Sequence, residues 1–139
     1  MRVTARLSYG LGALVDLAST GRPVKGEVLA GRHGVSKGFL ENILAELRRA
    51  GIVASKRGGQ GGYWLARPAR DITVADVIRT LDGVNGVEAS VRHDILLPVW
   101  QSISDATMSA AEAITLDTVA AGGDVRLPDM NRDSTTVLP

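Results

Sequence analysis

A chain of 139 residues with 45% hydrophobic content has enough apolar material for one modest core, which excludes a second large domain and leaves one small domain plus an extension. It contains no cysteine, which excludes disulfides, thiolate metal sites and thiol catalysis, and no apolar run near the ~20 residues of a membrane helix. Net charge is only +1, yet residues 1–80 hold 13 Lys+Arg against 6 Asp+Glu, whereas residues 81–139 hold 3 against 9.

That segregation gives the two halves different partners. A basic half suits the phosphates of duplex DNA, and an acidic half is repelled from the same duplex. The opening MRVTARLSYG lacks the apolar block of a secretory signal, so a cytoplasmic protein is expected.

Thr4 is suited to cap a first helix to about Ser19, with Leu7, Leu11, Leu14, Val15 and Ala18 on one face. Gly10 and Gly12 inside it cost up to about 1 kcal/mol each against alanine, so they serve either close packing or the entry of another side chain. Gly21-Arg22-Pro23 breaks the chain, and Lys25 to Arg32 reads as a short second helix packing through Val24, Val28 and Leu29.

His33-Gly34-Val35 is too short for anything but a tight turn between helices. Ser36 then caps a helix in which Leu40, Ile43, Leu44 and Leu47 recur at i, i+3, i+4 and i+7, and Gly51 stops it. The opposite face carries Gly38, Glu41, Asn42, Ala45 and Arg49, with Arg48 on its edge. Short helix, tight turn and patterned helix together have helix-turn-helix spacing.

Ile52 to Ser55 and Tyr63 to Leu65 are β-prone runs joined by KRGGQGG, a hairpin signal with Lys56 and Arg57 at its base. A hairpin after a helix-turn-helix is a wing. The run Gly58-Gly59-Gln60-Gly61-Gly62 lacks the Lys-Ser/Thr ending of a phosphate loop and opens no helix, which sets nucleotide binding aside.

Arg67 to Asp71 reads as a loop, and Thr73 with Asp76 three residues on is a box-like start for a helix striped by Val74, Val77, Ile78 and Leu81. Residues 82 to 94 show no convincing period and are expected to be a loop. From Pro98, near a helix start, Leu96, Val99, Ile103, Ala106, Ala110 and Ala113 alternate in steps of three and four. Such an alanine-rich seam suits a close pair of helices, and dimerisation is favoured over simple covering of the core. Thr115 begins a last short helix, LDTVAA, and a disordered tail is expected from residue 122 to Pro139.

The stretch VSKGFLENILAELRRAGIVASKRGGQGGYWLA resembles the Rrf2-type bacterial transcription regulators, whose reading helix and glycine-rich wing follow this order. The resemblance implies a mainly α fold with a small β-hairpin, a winged helix-turn-helix plus a long C-terminal dimerisation helix. Its segments would be 1–81 for DNA binding, 82–94 at the family's cluster loop, 95–121 for dimerisation and 122–139 as tail. It implies base contacts from Ser36, Glu41 and Asn42, asparagine suiting adenine and a carboxylate suiting the cytosine amino group. Lys37, Gly38, Phe39, Arg48, Arg49, Lys56, Arg57, Gly58, Gly59, Gln60 and Gly61 complete the expected interface. Gly38 departs from the small polar residue frequent there, and Phe39 is equally suited to cover the core edge. The family's first helix approaches the DNA backbone, which points to Arg2 and Arg6, and a solvated face suits these two residues equally.

Many regulators of this family bind an iron-sulfur cluster through three cysteines between the Leu81 helix and the dimer helix. None is present here, so no cofactor is expected, and Glu88, His93, Asp94 and His33 read as solvated polar residues. With no Ser/His/Asp set, an enzyme is the weakest reading. The expected function is a sequence-specific transcription regulator, repression being the expected mode, that binds an inverted-repeat operator in double-stranded DNA as a homodimer. The 82–94 loop offers a place for a small-molecule effector, and a constitutive binder with no ligand is the competing reading. The second reading is a winged-helix protein-interaction module that reads no bases.

Overall fold

The computed structural model describes residues 2–83 and 95–122. Their order is α1 (Ala5–Thr20), α2 (Gly26–His33), α3 (Lys37–Arg49), β1 (Val53–Lys56), β2 (Gly62–Leu65), a short 3-10 helix (Ala69–Asp71) within the expected loop, where Asp71 N–H closes on Pro68 O, α4 (Val74–Leu81), α5 (Leu97–Glu112) and α6 (Leu116–Ala120). The fold is mainly helical with one antiparallel hairpin, a winged helix-turn-helix continued by a C-terminal helix. Most of the expected 82–94 loop, with Glu88, His93 and Asp94, and all but the first residue of the expected tail lie outside the described residues.

Thr4 caps α1 by accepting the Leu7 N–H at 3.1 Å. The buried face of α1 differs from the expected stripe: Leu7, Ala13, Leu14 and Leu17 are buried, while Leu11, Val15 and Ala18 lie at the rim. The cause is that α1 packs against α2, α3, α4 and α6, so its buried arc is wider than one stripe. Both internal glycines serve contacts within the chain. Leu81 and Ile43 press on Gly10, and the His33 ring lies on Gly12, with Nε2 2.8 Å from Asp16 Oδ2.

In α2, Leu29 and Ala30 are buried, but Val28 is exposed, contrary to the expected packing face. On so short a helix, Val28 points about 200° from Gly26, which faces the core. The turn then closes tightly, with Val35 N–H donating to Ala30 O at 3.1 Å. In α3 the expected stripe is wholly buried, Leu40, Ile43, Leu44 and Leu47 each at 0% exposure, and Ser36 Oγ accepts from Phe39 N–H at 3.2 Å.

Strands β1 and β2 pair from Val53↔Leu65 to Lys56↔Gly62, so Lys56 and Gly62 belong to the strands and the loop shrinks to Arg57 through Gly61. An isolated antiparallel bridge between Val24 and Tyr63 was not expected. Val24 N–H donates to Tyr63 O at 2.9 Å, and Tyr63 N–H donates to Val24 O at 2.8 Å. This close approach requires Gly62, whose φ is 141° and whose added Cβ would lie 2.7 Å from the Val24 backbone.

Thr73 and Asp76 form the expected capping box, each side chain accepting from the other's backbone N–H at 3.1 and 3.0 Å. Beyond α5 the chain returns to the N-terminal half. Val74 N–H donates to Ile114 O at 2.9 Å, and Leu116 N–H donates to Ile72 O at 2.8 Å. Leu116 and Ala111 thereby join the same buried cluster as the helix-turn-helix residues, and Arg79 pairs with Glu112 across α4 and α5.

Replacing Gly62 by alanine should lower unfolding free energy by about 2 kcal/mol or more, through strain and displacement of Val24. Gly59, which has open space around it, should tolerate alanine within about 0.5 kcal/mol. Denaturant unfolding of the two variants against wild type measures the difference.

Candidate nucleic-acid interface

Burial of the α3 stripe leaves its opposite side facing outward, with Gly38, Asn42, Arg48 and Arg49 exposed and Glu41 half-buried. Several of these side chains are held by contacts within the protein. Lys37 Nζ lies 3.6 Å from Glu27 and 3.9 Å from Glu41, linking α2 to α3. Glu41 reaches back over Gly26 beside Tyr63. Arg48 donates to Ser55 Oγ at 3.1 Å, tying the end of α3 to β1. Arg49 makes no ion pair among the described residues and projects a cation from the last turn of α3.

Phe39 covers the core edge, its ring meeting Tyr9 edge-on at 5.8 Å between centroids. Arg6, expected near the DNA backbone, contacts α3: its Nη1 is 3.0 Å from Asn42 Oδ1, and its Nη2 is 2.6 Å from Glu46 Oε2. Glu46, and the contact that Arg6 makes with this face, were missed because they join segments forty residues apart. Ser36 spends its oxygen on the cap and keeps its hydroxyl proton for a partner outside.

In the wing, Gly61 N–H donates to Gly58 O at 3.0 Å, and the Lys25 ammonium also donates to Gly58 O. A Cβ on Gly61 would lie 2.0 Å from Lys56 O, so this glycine closes the turn whatever it meets outside. Lys56, Arg57, Gly59 and Gln60 are exposed, and neither cation forms an ion pair among the described residues. Lys56 and Gln60 also line a shallow cleft with Trp64, Arg22 and Pro23, which the sequence did not suggest.

The geometry is therefore an outward helix face flanked by a hairpin that carries two exposed cations, Lys56 and Arg57. The sequence profile of the Rrf2 family, described as iron-dependent transcriptional regulator, matches residues 3–122. The chain belongs to the Rrf2 family.

A Mycobacterium tuberculosis protein named as an HTH-type transcriptional regulator is 37% identical to this Rrf2 regulator over 133 residues, 88% of this chain and 83% of that one. The transcriptional regulator IscR of Pectobacterium carotovorum is 32% identical over 139 residues, 90% of this chain and 82% of that one. Among solved structures, CymR, the global cysteine regulator of B. subtilis, has a TM-score of 0.76 at 30% identity, covering 89% of this chain and 99% of that chain. These relatives are transcriptional regulators, and this Rrf2 chain is one by membership.

The family's iron chemistry does not fit this member. Its 139 residues offer no thiolate, and among the described residues no three His, Asp or Glu side chains gather. No helix among the described residues is long and apolar enough to cross a membrane.

Tyr63, between the wing and α3, has its phenol pushed above the usual tyrosine range, first by burial and then by the Glu41 carboxylate. A raised pKa in the folded state gives stability that is complete below the unfolded tyrosine value near 10 and is lost as pH rises through the folded value. Unfolding followed from pH 8 to 11 should show the wild type losing stability at the alkaline end. Tyr63→Phe should flatten that decline.

Proposed function

We propose that this regulator binds an inverted-repeat operator as a homodimer and acts as a repressor, α3 reading bases from the major groove while the wing follows the backbone. The observation that carries the reading is the sealed apolar side of α3 set against its open outer side, with Lys56 and Arg57 beside it. Asn42 and Glu41 set sequence preference, with Ser36 at the start of the helix; Gly38 leaves open space where a side chain would restrict the fit. Arg49, Lys56 and Arg57 supply phosphate or minor-groove affinity, with Gly59 and Gln60 at the wing tip.

The proposed dimer is built by α5. Val99 and Ile103 are 49% and 51% exposed, and Leu96 is 46% exposed, on the seam that continues through Ala106, Ala110 and Ala113. Large apolar side chains so exposed on one helix are a surface for a partner, and the alanines allow a close approach. A two-fold pair would present its two α3 helices to half-sites about one helical turn apart. With no thiolate to hold a cluster, any signal acts by another route, and a small ligand between α4 and α5 is the proposed one. The working compartment is the cytoplasm.

Selecting bound duplexes from random DNA should return an inverted repeat, with affinity falling steeply as salt rises. Asn42→Ala should lose about 1 to 3 kcal/mol on that sequence and little on random DNA, whereas Arg57→Ala should weaken both. Equal losses on both DNAs for Asn42→Ala would remove it from base reading, and salt-independent or absent binding would return the chain to the interaction-module reading.

Sedimentation of the wild type at micromolar concentration should show a dimer, and Ile103→Asp should give a folded monomer with weakened operator binding. A monomeric wild type would rule out the α5 pairing.

A further inference from the structure

An asparagine free in a groove carries a donor and an acceptor, which is why it suits adenine: the amide oxygen takes N6–H and the amide nitrogen gives to N7. Asn42 is not free. Arg6 reaches across from α1, its Nη1 3.0 Å from Asn42 Oδ1. A guanidinium has donors only, so the amide must turn its oxygen toward α1 and its nitrogen away. The guanidinium is itself anchored, its Nη2 2.6 Å from Glu46 Oε2, and Glu46 stands one turn beyond Asn42 on the same helix. Arg6 and Glu46 side chains are each 33% exposed, so the pair is partly shielded from water, while Asn42 remains exposed.

We propose that Arg6 is a positioning residue for specificity, fixing Asn42 so that only its N–H donors face the groove. This rests on the reading of α3 as the base-reading helix and adds the chemistry of the base it selects. Guanine offers N7 and O6 and thymine offers O4, all acceptors, so either meets the amide nitrogen. Adenine keeps N7 but loses the partner for its amino group. Cytosine presents its amino group, donor against donor, and is rejected.

The test selects bound duplexes from a random pool with wild type, Asn42→Ala, Arg6→Met and Arg6→Lys. Asn42→Ala marks the base pair that Asn42 reads, as the position whose preference collapses. A 7-deaza purine placed in that pair fixes the strand on which the base is counted, since losing N7 weakens wild-type binding only where the purine is the base touched. At that position the wild type should prefer guanine or thymine over adenine and cytosine by roughly tenfold. Arg6→Met should bring adenine to within about twofold of the preferred base and leave other positions unchanged. Arg6→Lys retains a donor and should keep the wild-type order. Glu46→Gln, which loosens Arg6 without altering α1, should shift the preference in the same direction as Arg6→Met, so the test survives if Arg6→Met does not fold.

A wild type that selects adenine at the marked position overturns the proposal. So does an Arg6→Met protein that binds every sequence more weakly in the wild-type order, since Arg6 would then be a phosphate contact. If Asn42→Ala changes no position, base reading by Asn42 fails first and carries this inference with it. If the wild type selects nothing, the regulator reading itself has failed.

Discussion

The interface depends on the sealing of one side of α3. Four aliphatic side chains, Leu40, Ile43, Leu44 and Leu47, are removed from water completely, each worth about 1.5 to 3 kcal/mol. The polar contacts on the same helix are partly exposed, and such pairs are worth about 0 to 1 kcal/mol each. Packing therefore sets the rotation of α3 about its axis, and Arg6, Lys37 and Arg48 adjust side chains on a face already chosen. A slip of one residue would turn the helix by about 100° and drive Asn42 toward the core, which the lost burial forbids.

The wing is positioned by a different force. Its two strands would be marginal as an isolated hairpin, and the Val24–Tyr63 backbone pair ties them to the segment before α2. Lys25 holds the loop at Gly58, and Arg48 holds β1 at Ser55, so the wing is attached to both helices of the helix-turn-helix. Helix face and wing thus move together, which suits a surface that must follow one duplex. The C-terminal segment joins this unit through Leu116 and the Arg79–Glu112 pair.

Local chemistry was legible in the sequence. The α3 stripe, the Thr4 and Ser36 caps, the Thr73–Asp76 box and the glycine-tipped hairpin all arise from residues within a few positions of one another, where period and hydrogen-bonding preference decide. Contacts between distant segments were not. The buried arc of α1 is turned from its stripe because four other helices surround it, and Val28 is exposed because a two-turn helix has one narrow inward side. Within the site, the residue types on the outer face of α3 were readable, but their engagement was not. No pattern in the sequence says that Arg6 meets Asn42, that Glu41 turns back over Gly26, or that Phe39 spends itself on Tyr9. The resemblance suggested an approach of Gly61 to DNA, whereas the backbone of Lys56 already demands that glycine, as the backbone of Val24 demands Gly62.

The return of Leu116 to the N-terminal half bears on how the protein is made. Helix α1 leaves the ribosome about a hundred residues before α6, one of its packing partners. Until then the apolar surface that meets Leu116 stays open to water, along with the Ile72 carbonyl that Leu116 will occupy. Domains usually fold as units during synthesis, N-terminal portion first. Here the unit is not closed at the wing, and a nascent chain stalled before residue 116 holds a reading helix on an unfinished core. The core that backs the reading helix is thus closed by a segment that emerges well after it.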